Sequence, residues 1–304
     1  MNRGEVGWSH GIRVSLNGSR VGVGHMSILE YAGLAARHEF AGIDIPSLTA
    51  AMMTAQQMGG ATALKDALTE KGIVPVIFGL APEMGLEGVE WRQDEGTFRQ
   101  SLKTLAQAAK FAEELGIARC YTYLPPAVVA EPDEWEKLLT RRLGEIARLL
   151  GEYGVRVGVE WLGPHHLRAD GANPWGAKPF IFTMERTQAF IEKMGVPTVG
   201  LILDSLHAYT TNLGEPEIAS LAASQIVHVH LSDVVKGKGR AGARSDQRLL
   251  PGDGEVDLAG FLRGLRKIGY QGYAAVEVIA AENIAQTPDA AAARIRSSLR
   301  ELGL

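Results

Sequence analysis

The chain has 304 residues, of which 46% are hydrophobic and 22% charged, with a formal net charge of −4 and one cysteine. This length and composition suit a globular protein with a large core and exclude a disordered chain. The slight acidity gives no basic footprint for a phosphate backbone, and no run approaches the roughly 18 apolar residues of a membrane span. Neither nucleic acid nor membrane is therefore expected as a partner.

The first 20 residues are polar and glycine-containing, with no apolar signal core, which points to the cytoplasm. Residues 1–10, with Trp8, read as an N-terminal arm. Its docking on a second copy in a homo-oligomer stays open, because nothing in the sequence requires it. Beyond the arm, short Val- and Ile-rich runs alternate with longer segments of helical period. The runs are Ile12–Leu16, Gly42–Pro46, Val74–Gly79, Ala118–Leu124, Val155–Trp161, Val199–Asp204, Ile226–Leu231 and Ala274–Ile279. The helical segments between and after them are Ser27–His38, Thr49–Lys71, Thr97–Leu115, Pro132–Tyr153, Thr183–Met194, Glu215–Ala223, Asp257–Ile268 and Pro288–Leu302. Gly72, Gly116 and Gly269 stand where a left-handed residue ends a helix before a short turn into the next strand. Eight βα units in order, without a linker or a shift in composition, predict one α/β domain over 1–304, a (β/α)8 TIM barrel. No strand runs into the glycine-rich turn of a dinucleotide-binding fold. Cys120, in an apolar run, reads as a packed thiol in a reducing compartment. Two long connections, 161–182 and 232–255, lie on the βα side, where barrel active sites are built. The segment 165–180, with Trp175 and two prolines, reads equally as a lid or as a packed loop.

Four runs end on polar residues that an apolar strand would not otherwise hold: Glu160, Asp204, His230 and Glu277. An ionised carboxylate inside a barrel must be paired, protonated or bound to a cation. The basic residue within these runs, histidines aside, is Arg156, which alternation sends toward the barrel bottom. Equivalent positions on four consecutive strands converge at the mouth, so the four side chains could share one divalent ion. Three carboxylates and one imidazole form a hard, oxygen-rich set suited to Mn²⁺ or Mg²⁺, with Co²⁺ or Zn²⁺ as alternatives. His228 shares a face with His230 and reads as an interior residue supporting it.

These motifs carry a resemblance. Gly158–Pro164, Gly200–Tyr209, Val227–Asp233 and Arg248–Gly254 are similar to the xylose isomerase-like TIM-barrel superfamily of sugar phosphate isomerases and epimerases, to which the family 2 AP endonucleases are related. The N-terminal half agrees in pattern only, notably at Glu39–Ile45. The resemblance implies Glu160, Asp204, His230 and Glu277 as metal ligands, with Glu160 and Glu277 also exchanging the proton as acid and base. The implied substrate is a small carbohydrate, isomerised or epimerised through an enediolate. Dehydration of a keto-polyol of the inosose or dehydroshikimate type is the alternative.

The resemblance also implies His207 and Arg248 as substrate-binding groups. Lys236 stands where the epimerases carry an arginine, a departure that weakens close epimerase identity because Lys lacks Arg's planar fork. A phosphodiesterase of the endonuclease IV kind is disfavoured, since Asp246-Gln247-Arg248 replaces that group's Asp-X-His and the third and fourth strands end without histidine. Xylose isomerase itself is disfavoured because Leu162 stands where that enzyme has a lysine. A non-catalytic sugar-binding barrel remains the non-enzyme alternative.

Overall fold

A computed structural model describes residues 11–304. Its ten strands are β1 (Arg13–Leu16), β2 (Gly42–Ile45), β3 (Val74–Gly79), β4 (Arg119–Leu124), β5 (Ala127–Val128), β6 (Arg156–Trp161), β7 (Lys178–Pro179), β8 (Val199–Asp204), β9 (Ile226–Leu231) and β10 (Tyr273–Val276). Eight of them close a parallel barrel in the order β1-β2-β3-β4-β6-β8-β9-β10, with β10 returning to β1. The expected (β/α)8 barrel is thus the observed fold. Closure leaves the barrel no open edge, and the helices cover its outside.

Inside the barrel a small apolar group of Ala41, Val76, Ile77, Ile202, Val227 and Tyr273 fills the lumen. Gly158 makes room for it, since a Cβ there would stand 2.2 Å from Ile202 Cδ1. A larger cluster packs the helices onto the outer face of the sheet, and Cys120 is fully buried in it. No helix among the described residues is long and apolar enough to cross a membrane.

Several details differ from the sequence reading. The single helix expected over 49–71 is two helices, Leu48–Gln57 and Ala61–Glu70. Gly59 and Gly60, at φ +96° and +130°, occupy conformations that no helix interior accepts. The segment 215–223 makes one short turn, Glu215–Ile218, in place of a full helix. β10 stops at Val276, so Glu277 follows the strand; its amide still bonds Leu231 O at 3.0 Å. The pair β5–β7 was not expected from sequence. It ties the segment after β4 to the long connection after β6. The three expected helix-ending glycines, Gly72, Gly116 and Gly269, do have φ near +70° to +90°. The arm 1–10 lies outside the described residues.

Candidate metal centre and active site

Strand register brings the polar strand ends to one level. Asp204 on β8 is paired with His230 on β9, His230 with Ala275 on β10, and Glu160 closes β6 one residue before Trp161. One ligand atom from each of Glu160, Asp204, His230 and Glu277 lies within 4.8 Å of the other three. His230 Nδ1 sits 3.2 Å from Glu160 Oε1 and 3.8 Å from Glu277 Oε2. Asp204 also caps the short helix Ser205–Thr210: its Oδ1 accepts from the amides of Leu206 (2.7 Å) and His207 (3.1 Å). That fixes the carboxylate and leaves Oδ2 for the cluster.

Arg248 completes the group. It comes from the long connection after β9, yet it is only 3% exposed. Its Nη1 donates to Asp204 Oδ2 at 2.7 Å and to Glu277 Oε2 at 3.0 Å, and its Nη2 lies 3.5 Å from His207 Nε2.

One guanidinium among three buried carboxylates leaves negative charge over, and the titration behaviour reflects it. Burial, with the nearby charge of Glu277, pushes the Glu160 carboxyl up to about 7 against the opposing hydrogen bond from His230. Burial alone would lower His230, but Glu277 and Glu160 outweigh it and push the imidazole up to about 10. The two groups act as one site holding a proton. At Asp204 burial is outweighed by Arg248, which holds the carboxyl down at about 2. His207 is lowered to about 3 by burial, so it is a neutral ring. Its Nδ1 accepts from Gly163 N at 3.3 Å.

The residues present fit a divalent cation. The donors are hard, mostly anionic and convergent; they share one proton that a cation would displace; and Arg248 already shows that a positive group is drawn between Asp204 and Glu277.

Glu160, Glu277 and Arg248 open onto a cavity of about 520 Å³ whose lining also includes Asn17, Asp44 and Tyr121. The other expected residues are placed differently. His207 is fully buried against Arg248 and does not line the cavity. Lys236 is exposed, on a turn whose Gly237 and Gly239 amides bond Glu255, and it reaches neither the cluster nor the cavity. His228 packs edge-to-face on His230 at 5.2 Å, with its Nε2 3.4 Å from Asp44 Oδ2.

Sequence reasoning passed over Asp44, which is 5% exposed and accepts from Ser15 Oγ (2.7 Å) and Asn17 Nδ2 (3.1 Å). The signal was one carboxylate alternating inward within Gly42-Ile43-Asp44-Ile45. Tyr121, edge-on to His230 at 5.4 Å, was also missed, as was Asp233. Asp233 accepts from the amides of Gly252, Gly254 and Val256 at 2.9–3.0 Å and so shapes the loop that delivers Arg248. The segment 165–180 packs down: Gly176 abuts the Val128 backbone, where a Cβ would stand 2.1 Å from Val128 C, and Phe180 N bonds Pro126 O at 2.9 Å.

The model of the xylose isomerase-like TIM barrel family matches residues 32–302. A solved xylose isomerase domain protein from Alicyclobacillus acidocaldarius superposes with a TM-score of 0.83 at 30% identity, covering 96% of this chain and 98% of that one. Among curated proteins, inosose isomerase of Bacillus velezensis is 23% identical over 194 residues, 62% of this chain and 64% of the relative. A 3-dehydroshikimate dehydratase of Pseudomonas aeruginosa is 29% identical over 211 residues, 66% of this chain and 30% of the relative. The matched stretch thus spans less than two thirds of either curated relative's length.

Proposed function

We propose that this chain, which belongs to the xylose isomerase-like TIM barrel family, is a divalent-metal-dependent isomerase or epimerase of a small carbohydrate, acting by proton transfer beside a carbonyl. The observation that carries this reading is a pair of carboxylates, Glu160 and Glu277, that open onto one cavity and also converge with Asp204 and His230 on a single ion-sized locus. Glu160, Asp204, His230 and Glu277 would hold the cation; when bound, it polarises a vicinal carbonyl and hydroxyl and so acidifies the C–H between them.

The chain's own groups do the rest. For inversion one of Glu160 and Glu277 takes the proton from carbon and the other returns it on the opposite face; for moving a carbonyl the same carboxyl returns it to the neighbouring carbon while the other passes a proton between the oxygens. Arg248 keeps Asp204 ionised and donates to Glu277, and His207, a neutral ring accepting from Gly163 N at Nδ1, packs beside that guanidinium without accepting from it. Ile77 from the barrel and Leu167 and Trp175 from the segment 165–180 give the cavity beside the pair its apolar walls.

A second reading, dehydration, uses the same proton removal with a β-hydroxyl as leaving group, and the 29% identity to a 3-dehydroshikimate dehydratase favours it. Incubation of a panel of ketoses and inososes in D₂O, with Mn²⁺ or EDTA, separates the cases by NMR. Deuterium should enter at the carbon beside the carbonyl with Mn²⁺ and not with EDTA. An accompanying alkene selects dehydration, and no exchange across the panel overturns the proposal.

A further inference from the structure

A second cavity, of about 480 Å³, adjoins the first, and Glu83, Tyr123 and Trp175 line both. Its character is different. Where the first holds the carboxylates, the second is walled by Trp91, Trp135 and Val129 in addition to the shared aromatics. Val129 is 80% exposed and Trp175 44%, two of the few large apolar side chains that the described fold leaves uncovered. Exposed apolar groups gathered around a concavity mark a surface that binds something.

The charge in this second cavity is already spent. Arg92 lies between Trp91 and Tyr123, with its guanidinium carbon 4.4 and 4.6 Å from their ring centroids, and pairs with Glu83 at 3.0 Å. Glu83 also accepts from Tyr123 Oη at 3.0 Å. Among the described residues no other lysine or arginine lines this cavity, and the one in the first, Arg248, is engaged by Asp204 and Glu277. Among the described residues a phosphate would find no uncommitted cation in either. Two buried donors, Arg92 Nε and Trp135 Nε1, have no hydrogen-bond partner among the described residues. Both are shut off from solvent, so they belong to the wall and not to the opening.

The walls are held in place before any ligand arrives. Trp175 packs edge-on to Tyr123 at 5.7 Å, and its amide bonds Leu167 O. Gly176 and the β5–β7 pair fasten its segment to Val128.

We infer that the second cavity is a subsite for a neutral ring carried by the substrate, so that the protein acts on a ring-substituted sugar, with an aryl group favoured over a second sugar by the apolar walls. The sugar sits at the carboxylates, and the appended ring stacks on Trp135, Trp175 and Tyr123. This assignment rests on the reading of the first cavity as the reaction site.

The test is a binding measurement by calorimetry with 4-nitrophenyl β-D-glucopyranoside, cellobiose, methyl β-D-glucopyranoside and glucose 6-phosphate. The aryl glycoside should bind about tenfold tighter than the methyl glycoside, in line with one or two aromatic contacts. Trp135→Ala and Trp175→Ala should each weaken it several-fold, with circular dichroism checking the fold; Trp175 stands on an exposed segment and guards against loss of folding in the first variant. Cellobiose binding as tightly as the aryl glycoside supports the subsite with a sugar as the ring. Equal affinity for aryl and methyl glycosides, variants without effect, or preference for the phosphate would overturn the inference. Adding Mn²⁺ and reading proton relaxation separates the two claims: ring binding with no broadening of the sugar protons refutes the metal reading while the subsite stands.

Discussion

The two ends of the barrel both concentrate like charges, and they resolve them differently. At the bottom, Arg13, Arg119 and Arg156 begin β1, β4 and β6. Arg119 Nε donates to Val227 O at 3.1 Å, Arg156 Nη2 to Ser224 O at 2.6 Å, and Arg13 stacks 4.1 Å from the Tyr273 ring. All three are partly exposed, so water and carbonyl oxygens answer their charge. At the mouth, three carboxylates are buried with one guanidinium and a shared proton. The bottom is answered by carbonyls and water, whereas the carboxylates of the mouth are answered by Arg248 and a held proton that a cation could displace. Stability accounts for the first arrangement; the second needs a function to explain it.

That contrast can be broken at several points. The largest expected effect is on chemistry: Glu160→Gln or Glu277→Gln should reduce metal-dependent deuterium exchange by about 10²–10⁴-fold, as loss of an acid–base group does. Exchange at the original rate in both would remove the mouth from the reaction. Next, Arg248→Met leaves buried carboxylates without their counter-charge and should destabilise the EDTA-treated protein by about 3–5 kcal/mol in urea unfolding. Mn²⁺ should restore part of the loss, because the ion answers the same charge.

A smaller effect concerns pH. The folded protein holds the Glu160 carboxyl above its ordinary 4.5, at about 7, and His230 above its ordinary 6.5, at about 10. Both groups favour the protonated state in the fold, so their contribution is present at low pH and lost as pH rises through these windows. Below pH 6.5 the lowered His207 acts in the opposite sense, so without metal stability should fall between pH 7 and 9, where His230 acts unopposed; with Mn²⁺ the ion displaces the shared proton and the decline should flatten or reverse. A rise in metal-free stability over that range would contradict the charge assignment. The smallest effect belongs to the bottom: Arg119→Met removes one carbonyl partner and should cost about 1–2 kcal/mol while leaving exchange and metal binding unchanged.

Much of this was legible in the sequence because it depends on local pattern. The barrel follows from Val- and Ile-rich runs alternating with helical segments, and the convergent cluster from Glu160, Asp204, His230 and Glu277 each standing at or just beyond a strand's end. What was missed depends on tertiary placement. Asp44 is a single polar residue in a short strand, and its meaning appears only once β2 and β9 face each other across the barrel. Arg248 could be assigned a direction by resemblance, but its burial follows from Asp233 folding the loop of 249–256, which no spacing announces. Lys236 shows the reverse: a position picked by counting from His230 lands on an exposed turn, because Gly237 and Gly239 bend the chain away. The aromatic cavity was invisible for the same reason, since its walls come from the segments after β3, β4 and β6.

The central claim, that the mouth is a cation site, is tested most directly by titrating Mn²⁺ into EDTA-stripped protein by calorimetry, alongside His230→Gln and Glu277→Gln. The account predicts one ion per chain and an affinity at least tenfold weaker in each variant. Failure of the stripped protein to bind Mn²⁺, or binding that neither substitution alters, would contradict it.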